Sequence, residues 1–426
     1  MVLFSTSISF SQDDAKNADN GDRDKPAAQH DRLFNITGLY KNLFTFQETD
    51  DYIPGKNPFD RENKKLASDL NRIRLSPELN YKEKIIIHVD YDNELVFSNF
   101  NKSYAFDAQY RPTEYNSLID MTWEPYYVRN VYYRTKIHRA YAKLSLENIT
   151  LTAGRQQIRY GSGRLWNPLD ILNPVSPSAV EGAEEQAGTD AVKLDWFFSR
   201  ETELSLVYDQ KRHDNGFADT GPKDANSVAR FKTVAGENEI ALLAGFISRK
   251  AAAGIDASTI LYKGMLRGSA IYFHPDEGSA YFVANAGYEY TFKNGLYFLA
   301  EYFYNENSLN RNSALKNAYE QGLYAGMNQK NYVLLANQFL TYNEHYAGLA
   351  LGYGLHPLVR ADLFFIYDFQ GRGIFISPSL KYNVFENIDL VAGAMLAYVF
   401  SGSDRMSDFE PMKKYGLYYL SLAAYF

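Results

Sequence analysis

The feature that most limits how this chain can fold is a two-residue alternation of polar and apolar side chains, sustained over long stretches. Even positions from residue 72 read Arg72, Arg74, Ser76, Glu78, Asn80 and Lys82, while the odd positions between them read Ile73, Leu75, Pro77, Leu79 and Tyr81. Lys84, His88, Asp90 and Asp92 alternate with Ile85, Ile87, Val89 and Tyr91. Arg139, Tyr141, Lys143, Ser145 and Glu147 oppose His138, Ala140, Ala142, Leu144 and Leu146. Lys193 and Asp195 oppose Val192, Leu194, Trp196 and Phe198, and Glu203, Ser205, Asp209 and Lys211 oppose Leu204, Leu206 and Tyr208. Successive side chains on a strand point to opposite faces, so each run is a strand with one wet and one apolar face. Pro77 cannot donate to a ladder and predicts a local bulge.

A soluble sandwich also alternates, but its strands usually run about 5–6 residues. The runs here reach roughly 10–14, and a tilted membrane strand needs about 9–11. Connection lengths point the same way. Short polar turns fall at Glu147-Asn148, Ser199-Arg200-Glu201, Gly236-Glu237-Asn238, Lys293-Asn294-Gly295, Leu355-His356-Pro357 and Glu386-Asn387. Longer segments lie between them, near 99–130, 160–188, 213–226, 306–344 and 400–413. Short turns on one side and long loops on the other mark an outer-membrane barrel. The chain is therefore read as all-β: a transmembrane antiparallel up-and-down β-barrel. Starting near 33–46 and taking 306–344 as one connection, the count is 18 strands, within a range of 16 to 20 because Tyr332 to Thr341 could form another. An even count puts both termini on the short-turn side. The last strand alternates Tyr418, Leu420, Leu422, Ala424 and Phe426. Such an aromatic end resembles the signal read by barrel-assembly machinery.

Composition removes several alternatives. The chain has 426 residues with no Cys, so disulfide scaffolds, zinc fingers and thiol catalysis are excluded. A net charge of −7 offers no basic field for nucleic acid. The longest apolar run, Leu390 to Phe400, is too short for a spanning helix, which needs roughly 20 residues. The negative mean hydropathy of −0.38 suits a barrel with half its strand residues facing water. Tyr 35, Phe 28 and Trp 3 then become lipid-facing wall and interface girdles. Residues 1–11 are read as the remnant of a secretory signal, with Ser9-Phe10-Ser11 as a small-x-small cleavage pattern. An arbitrary apolar start is the alternative. Residues 12–32 are almost wholly polar and are read as a disordered tail, leaving 33–426 as a single barrel.

If the apolar faces meet lipid, the charged faces line the lumen, and barrels of 16–18 strands leave an aqueous channel. Candidate lining and solute-binding residues are Arg72, Arg74, Arg139, Lys143, Arg155, Arg159, Arg164, Lys193, Asp195 and Arg360. Acidic residues on the same faces, among them Glu78, Asp90, Asp92, Asp209 and Asp362, are expected to neutralise most of them across neighbouring strands. Residues 154–174 are the local motif with most content. Arg155, Gln157 and Arg159 share a face by period-two spacing, and Gly161-Ser162-Gly163 permits a sharp turn. Asn167-Pro168 and Asn173-Pro174 stiffen the chain beyond that turn. Trp166, Asn167, Pro168, Asp170, Asn173 and Pro174 are thus expected to form an inward-folded constriction, with a loop packed on the barrel rim as the alternative. The glycine stretch is no phosphate loop, because the Gly-Lys-Ser/Thr ending is missing. Glu181, Glu184, Glu185 and Asp190 lack a calcium-loop spacing and read as a solvated acidic loop, so neither metal nor cofactor is expected.

Arg139-Ala140-Tyr141, Gly154-Arg155-Gln156, Tyr160-Gly161 and Gly163-Arg164-Leu165 resemble the alginate-export-type outer-membrane channels. Asn167-Pro168-Leu169-Asp170 and Asn173-Pro174 resemble a related group of uncharacterised Gram-negative outer-membrane proteins. The likeness is concentrated in residues 137–198 and implies an 18-stranded barrel whose basic lumen passes a polyanionic sugar. This lumen is mixed in sign, which departs from that family. The leading expectation is a Gram-negative outer-membrane channel for anionic sugars, polysaccharide or small polar solutes. Its partners would be outer-membrane lipid, the assembly machinery through Phe426, and the solute. Two other classes compete. One is a sleeve around a partner such as an electron-transfer protein. The other is an outer-wall hydrolase, disfavoured because no Ser in an elbow motif accompanies any of His30, His88, His138, His213, His274, His345 and His356.

Overall fold

The computed structural model describes residues 33–48, 64–103, 106, 110, 118–128, 130–172, 188–210, 225–276, 278–325 and 339–426. Expectations for residues 1–32, for Glu181, Glu184 and Glu185 of the acidic run and for Asn173 and Pro174 fall outside them, as does most of Tyr332 to Thr341. Among the described residues the strands begin with β1 (Phe34–Glu48), β2 (Lys65–Tyr81), β3 (Ile85–Ser98), β4 (Thr122–Val128), β5 (Val131–Ser145) and β6 (Ile149–Gln156). Next come β7 (Thr189–Phe197), β8 (Thr202–Asp209), β9 (Asn226–Ala235), β10 (Asn238–Ile247), β11 (Lys250–Leu261), β12 (Gly264–Pro275) and β13 (Tyr281–Thr291). The chain ends with β14 (Tyr297–Asn305), helix α1 (Ser313–Ala325), β15 (His345–His356), β16 (Val359–Asp368), β17 (Gly373–Phe385), β18 (Ile388–Val399) and β19 (Leu417–Tyr425).

Every strand but β4 pairs antiparallel with both neighbours, and β1 closes on β19 from Leu39↔Tyr425 to Gln47↔Leu417. The result is a closed barrel of 18 strands plus one extra strand. Gly38 and Phe426 exchange backbone hydrogen bonds of 2.6 and 2.9 Å at the seam. A closed barrel leaves no backbone edge unpaired, which is what lets strands cross hydrocarbon.

The extra strand corrects the reading of 99–130 as loop throughout. On one edge β5 carries two partners end to end: β4 against its first half (Val128↔Val131 to Thr122↔Lys136) and β6 against its second (Ala140↔Arg155 to Ser145↔Thr150). Trp123, Tyr126, Tyr127 and Val128 are all exposed, so β4 lacks the polar-apolar alternation that marks its neighbours. Alternation elsewhere survives, with Arg72, Arg74 and Asp92 buried inside while Ile73 and Leu75 are exposed outside. One predicted irregularity moves. Pro77 causes no bulge: it pairs with Ile36, and β2 keeps one register with β3 on either side of Ser76 and Pro77. The bulge lies on β5, where the register against β3 shifts between Asp90↔Arg139 and Tyr91↔Ile137. An extra residue flips parity, so His138 is buried rather than on the apolar outer face.

The six short polar turns all join strands at the end where the termini lie. The opposite rim is less uniform than expected, because β10–β11, β12–β13 and β16–β17 are also joined by short segments there. Ser248-Arg249, like Lys82-Glu83 and Tyr262-Lys263 at the other end, turns the chain with positive φ at both residues. That matches the twist of the flanking strands, but Gly and Asn usually supply it, which conceals these turns in the sequence.

Candidate functional site

The barrel interior holds the polar chemistry, in two differently built walls. On β2, β3 and β5 the register sets acids opposite bases. Glu94 faces Arg72 and Arg134 across the two ladders, and Asp92 faces Arg74 and Lys136. Arg72 donates through Nε to Glu94 at 2.8 Å, and Arg74 grips Asp92 through two nitrogens at 2.6 and 2.8 Å. Arg134 and Lys136 complete the set around Glu94, Lys136 at 3.2 Å. His88 lies between Asp90 at 3.0 Å and Glu78 at 3.3 Å. These groups are mostly buried, a state that charges tolerate when paired and hydrogen-bonded.

On β11, β14 and β16 the acids face no base. Asp256 has Ala241 and Ser269 as register partners, Glu301 has Gly287 and Gly348, and Asp368 has Tyr346 and Gly373. Asp256 and Glu301 take hydrogen bonds from chain folded into the barrel. Asp256 accepts from the Ser162 backbone at 3.0 Å and its hydroxyl at 2.7 Å. Glu301 accepts from the backbone N–H groups of Trp166 at 2.7 Å and Arg164 at 3.1 Å.

The segment 157–172 that supplies these donors leaves β6 and turns inside the barrel. Gly161 holds φ +88°, and the Asn167 amide closes the turn on the Tyr160 carbonyl at 2.7 Å. Contacts then progress around the inner wall. Arg230 of β9 lies over the Tyr160 ring at 5.1 Å, and Arg164 reaches Glu289 of β13 at 3.1 Å. Trp166 stacks on Phe303 of β14 at 5.2 Å. A Cβ on Gly348 would collide with Leu165 and Trp166, so a glycine on β15 makes room for the tip. Seven strands, β7 to β13, separate β6 from β14 one way round, so the tip docks almost opposite its origin.

Two further segments enter. Phe100, Phe106 and Tyr110 pack against Tyr132 of β5, with the Tyr110 hydroxyl 2.6 Å from that of Ser68. Residues 400–416 place Phe409 on Phe375 of β17 at 5.7 Å, and a single 3-10 turn at Glu410–Met412 buries Met412.

Most of the sequence-derived candidates are thus placed among partners. Arg72, Arg74 and Arg164 are paired as described. Lys193 meets Asp195 at 2.9 Å, Asp195 also accepts from Ser205, and Arg360 meets Asp362 at 2.9 Å. Arg139 sits at the bulge opposite Asp90, and Lys143 on β5 opposes Thr152. Arg155 is a correction. It opposes Ala140 and shares parity with the outward Leu151 and Ala153, while Gln157 and Arg159 have left the strand. Arg155 bonds Asp190 at 2.8 Å and the Ile137 carbonyl at 3.2 Å, and also the Ile119 carbonyl, so it clamps the wall where β6 ends. Arg159 keeps 41% side-chain exposure, its nearest acid being Asp170 at 3.8 Å. Trp166, Asn167, Pro168 and Asp170 are all buried in the inward segment. Glu301, Asp256, Phe303, Gly348 and Asp408 were missed. An inward acid whose register partners are small was the available signal.

An 18-stranded barrel with an apolar outer wall and charged interior is the architecture of outer-membrane porins, and it locates the chain in a Gram-negative outer membrane. No family model and no curated protein sequence matches the chain. Solved structures match its fold. The chain aligns over 92% of its length with 95% of OccK11 (OpdR) of Pseudomonas aeruginosa, at 12% identity and a TM-score of 0.52. It covers 99% of OccAB4 of Acinetobacter baumannii with 93% of its own length, at 11% identity and a TM-score of 0.56. A BenF-like porin from Pseudomonas fluorescens Pf-5 aligns over 98% of its length with 92% of this chain, at 9% identity and a TM-score of 0.52. These matches carry the outer-membrane barrel class; the likeness to alginate exporters gains no support from them.

Proposed function

We propose that the protein is a passive outer-membrane channel for small polar solutes, narrowed by the segment 157–172. The observation that carries this reading is the docking of Ser162, Arg164 and Trp166 on Asp256 and Glu301, inside a closed 18-strand barrel. A lumen of that strand number is wide enough for water, and a loop fixed within it sets the width that solutes meet. Polysaccharide export is disfavoured, because the basic side chains that would greet a polyanion are already held by Glu94, Asp92, Glu289, Asp195 and Asp362. Arg159, exposed on the inward segment, is the cation best placed to bias passage toward small anions. A threaded-partner sleeve fits poorly with three chain segments already occupying the interior.

Liposome swelling tests this reading. Vesicles carrying the folded protein should swell in small sugars and organic anions, with rates falling steeply as solute size grows. Entry of long anionic oligosaccharides as fast as monosaccharides would contradict the narrowed channel, and no entry of any solute would contradict the channel itself.

A further inference from the structure

Two carboxylates meet where the 400–416 segment enters the barrel. Asp408 is 4% exposed and Asp368, at the end of β16, is 0% exposed. Asp408 accepts the Tyr342 backbone N–H at 3.0 and 3.1 Å and the Tyr346 hydroxyl. Asp368 accepts the Asn343 amide at 2.8 Å and the Gly371 and Gln370 backbone N–H groups at 2.9 and 3.2 Å. Asn343 also donates to the Met406 carbonyl at 2.9 Å, so the cluster ties the 400–416 segment to β15, β16 and the 306–344 connection. Among the described residues no Lys, Arg or His pairs with either acid. The charged groups nearby are committed elsewhere: Arg405 and Arg311 lie 3.9 Å from Glu344, and Lys413 bonds Glu410. β17 contributes Phe375. Two like charges buried together cannot both be ionised cheaply.

We propose that the Asp368–Asp408 pair is a proton-operated latch, which holds the 400–416 segment inside the barrel when it carries a proton and releases it when both acids are ionised. Burial, reinforced by the Asp368 charge, pushes Asp408 up to about 7. An undocked Asp408 would return to the ordinary carboxylate value near 4. The docked form therefore holds more protons than the released form between these values. Docking is strongest below about pH 4, weakens by at most about tenfold per pH unit up to about pH 7, and is flat above. The proton lost goes to water.

The consequence for current through the lumen rests on the channel reading, whereas release of the segment does not, so two readouts separate them. The chain has no Cys, so Met412→Cys reports the buried segment and Ser401→Cys, at an exposed position, serves as the control. Labelling by a small water-soluble thiol reagent, taken as the ratio of the two variants in the folded full chain, should rise from pH 5 to pH 7 and then level. With Asp408→Asn added, the ratio should stay low across the range. A flat ratio in the Asp408 background, or an unchanged rise in Asp408→Asn, overturns the latch. Planar-bilayer conductance should rise over the same pH interval. A labelling response without any current would leave the latch standing and sink the channel, while current with flat labelling would do the reverse.

Discussion

The two halves of the interior solve the same problem differently. On β2, β3 and β5 every buried acid finds a base directly across a ladder, as Glu94 does with Arg72 and Arg134. On β11 and β14 the cross-strand positions are Ala, Ser or Gly, and Asp256 and Glu301 take donors from an inward segment. The first arrangement builds wall: its charges cancel within the sheet. The second builds attachment points, since Glu301 takes its backbone donors, and Asp256 its Ser162 donors, from the docked 157–172 segment. Removing one charge should therefore weaken the barrel in the first place and the docking of the segment in the second.

Glu94→Gln is expected to be the most damaging change. It strands Arg72, Arg134 and Lys136 around a neutral amide, a loss of about 3–5 kcal/mol for a broken buried ion cluster. Urea unfolding of the barrel in detergent, or loss of its compact form on unheated gels, measures it. A midpoint unchanged from wild type would mean that this wall is not held by its charges. The same substitution at Glu301 should leave barrel unfolding nearly intact. It weakens the hydrogen bonds that hold Arg164 and Trp166 by about 1–3 kcal/mol, and that loss falls on docking of the segment. Equal unfolding penalties at Glu94 and Glu301 would erase the distinction. Arg159→Gln is the smallest perturbation. With an exposed side chain and a distant partner it should shift stability by less than about 0.5 kcal/mol, yet lower anion preference in reversal-potential measurements. An unmoved reversal potential would take Arg159 off the solute path.

The charge-paired wall was largely legible in the sequence, because alternation places Arg72, Arg74, Asp92 and Arg139 on one face without any knowledge of tertiary contacts. The attachment wall was not. Asp256 and Glu301 are visible as inward residues, but their donors lie 94 and 135 positions away in Ser162 and Trp166, a separation that no local pattern encodes. The inward segment itself was anticipated from Gly161, Gly163 and Asn167-Pro168, although its landing place was not. Two local failures have physical causes. Arg155 was assigned to the lumen by grouping it with Gln157 and Arg159, which lie beyond the end of β6, whereas in the strand it shares the parity of Leu151 and Ala153. His138 was placed outside because one extra residue on β5 reverses every assignment on one side of it.

Single-channel conductance of wild type and Glu301→Gln, recorded side by side in planar bilayers, tests the central claim most directly. A docked 157–172 segment narrowing an open barrel predicts well-defined conductance for wild type, and a larger or noisier conductance for the variant with the barrel still folded. Indistinguishable conductances from the two proteins would contradict it.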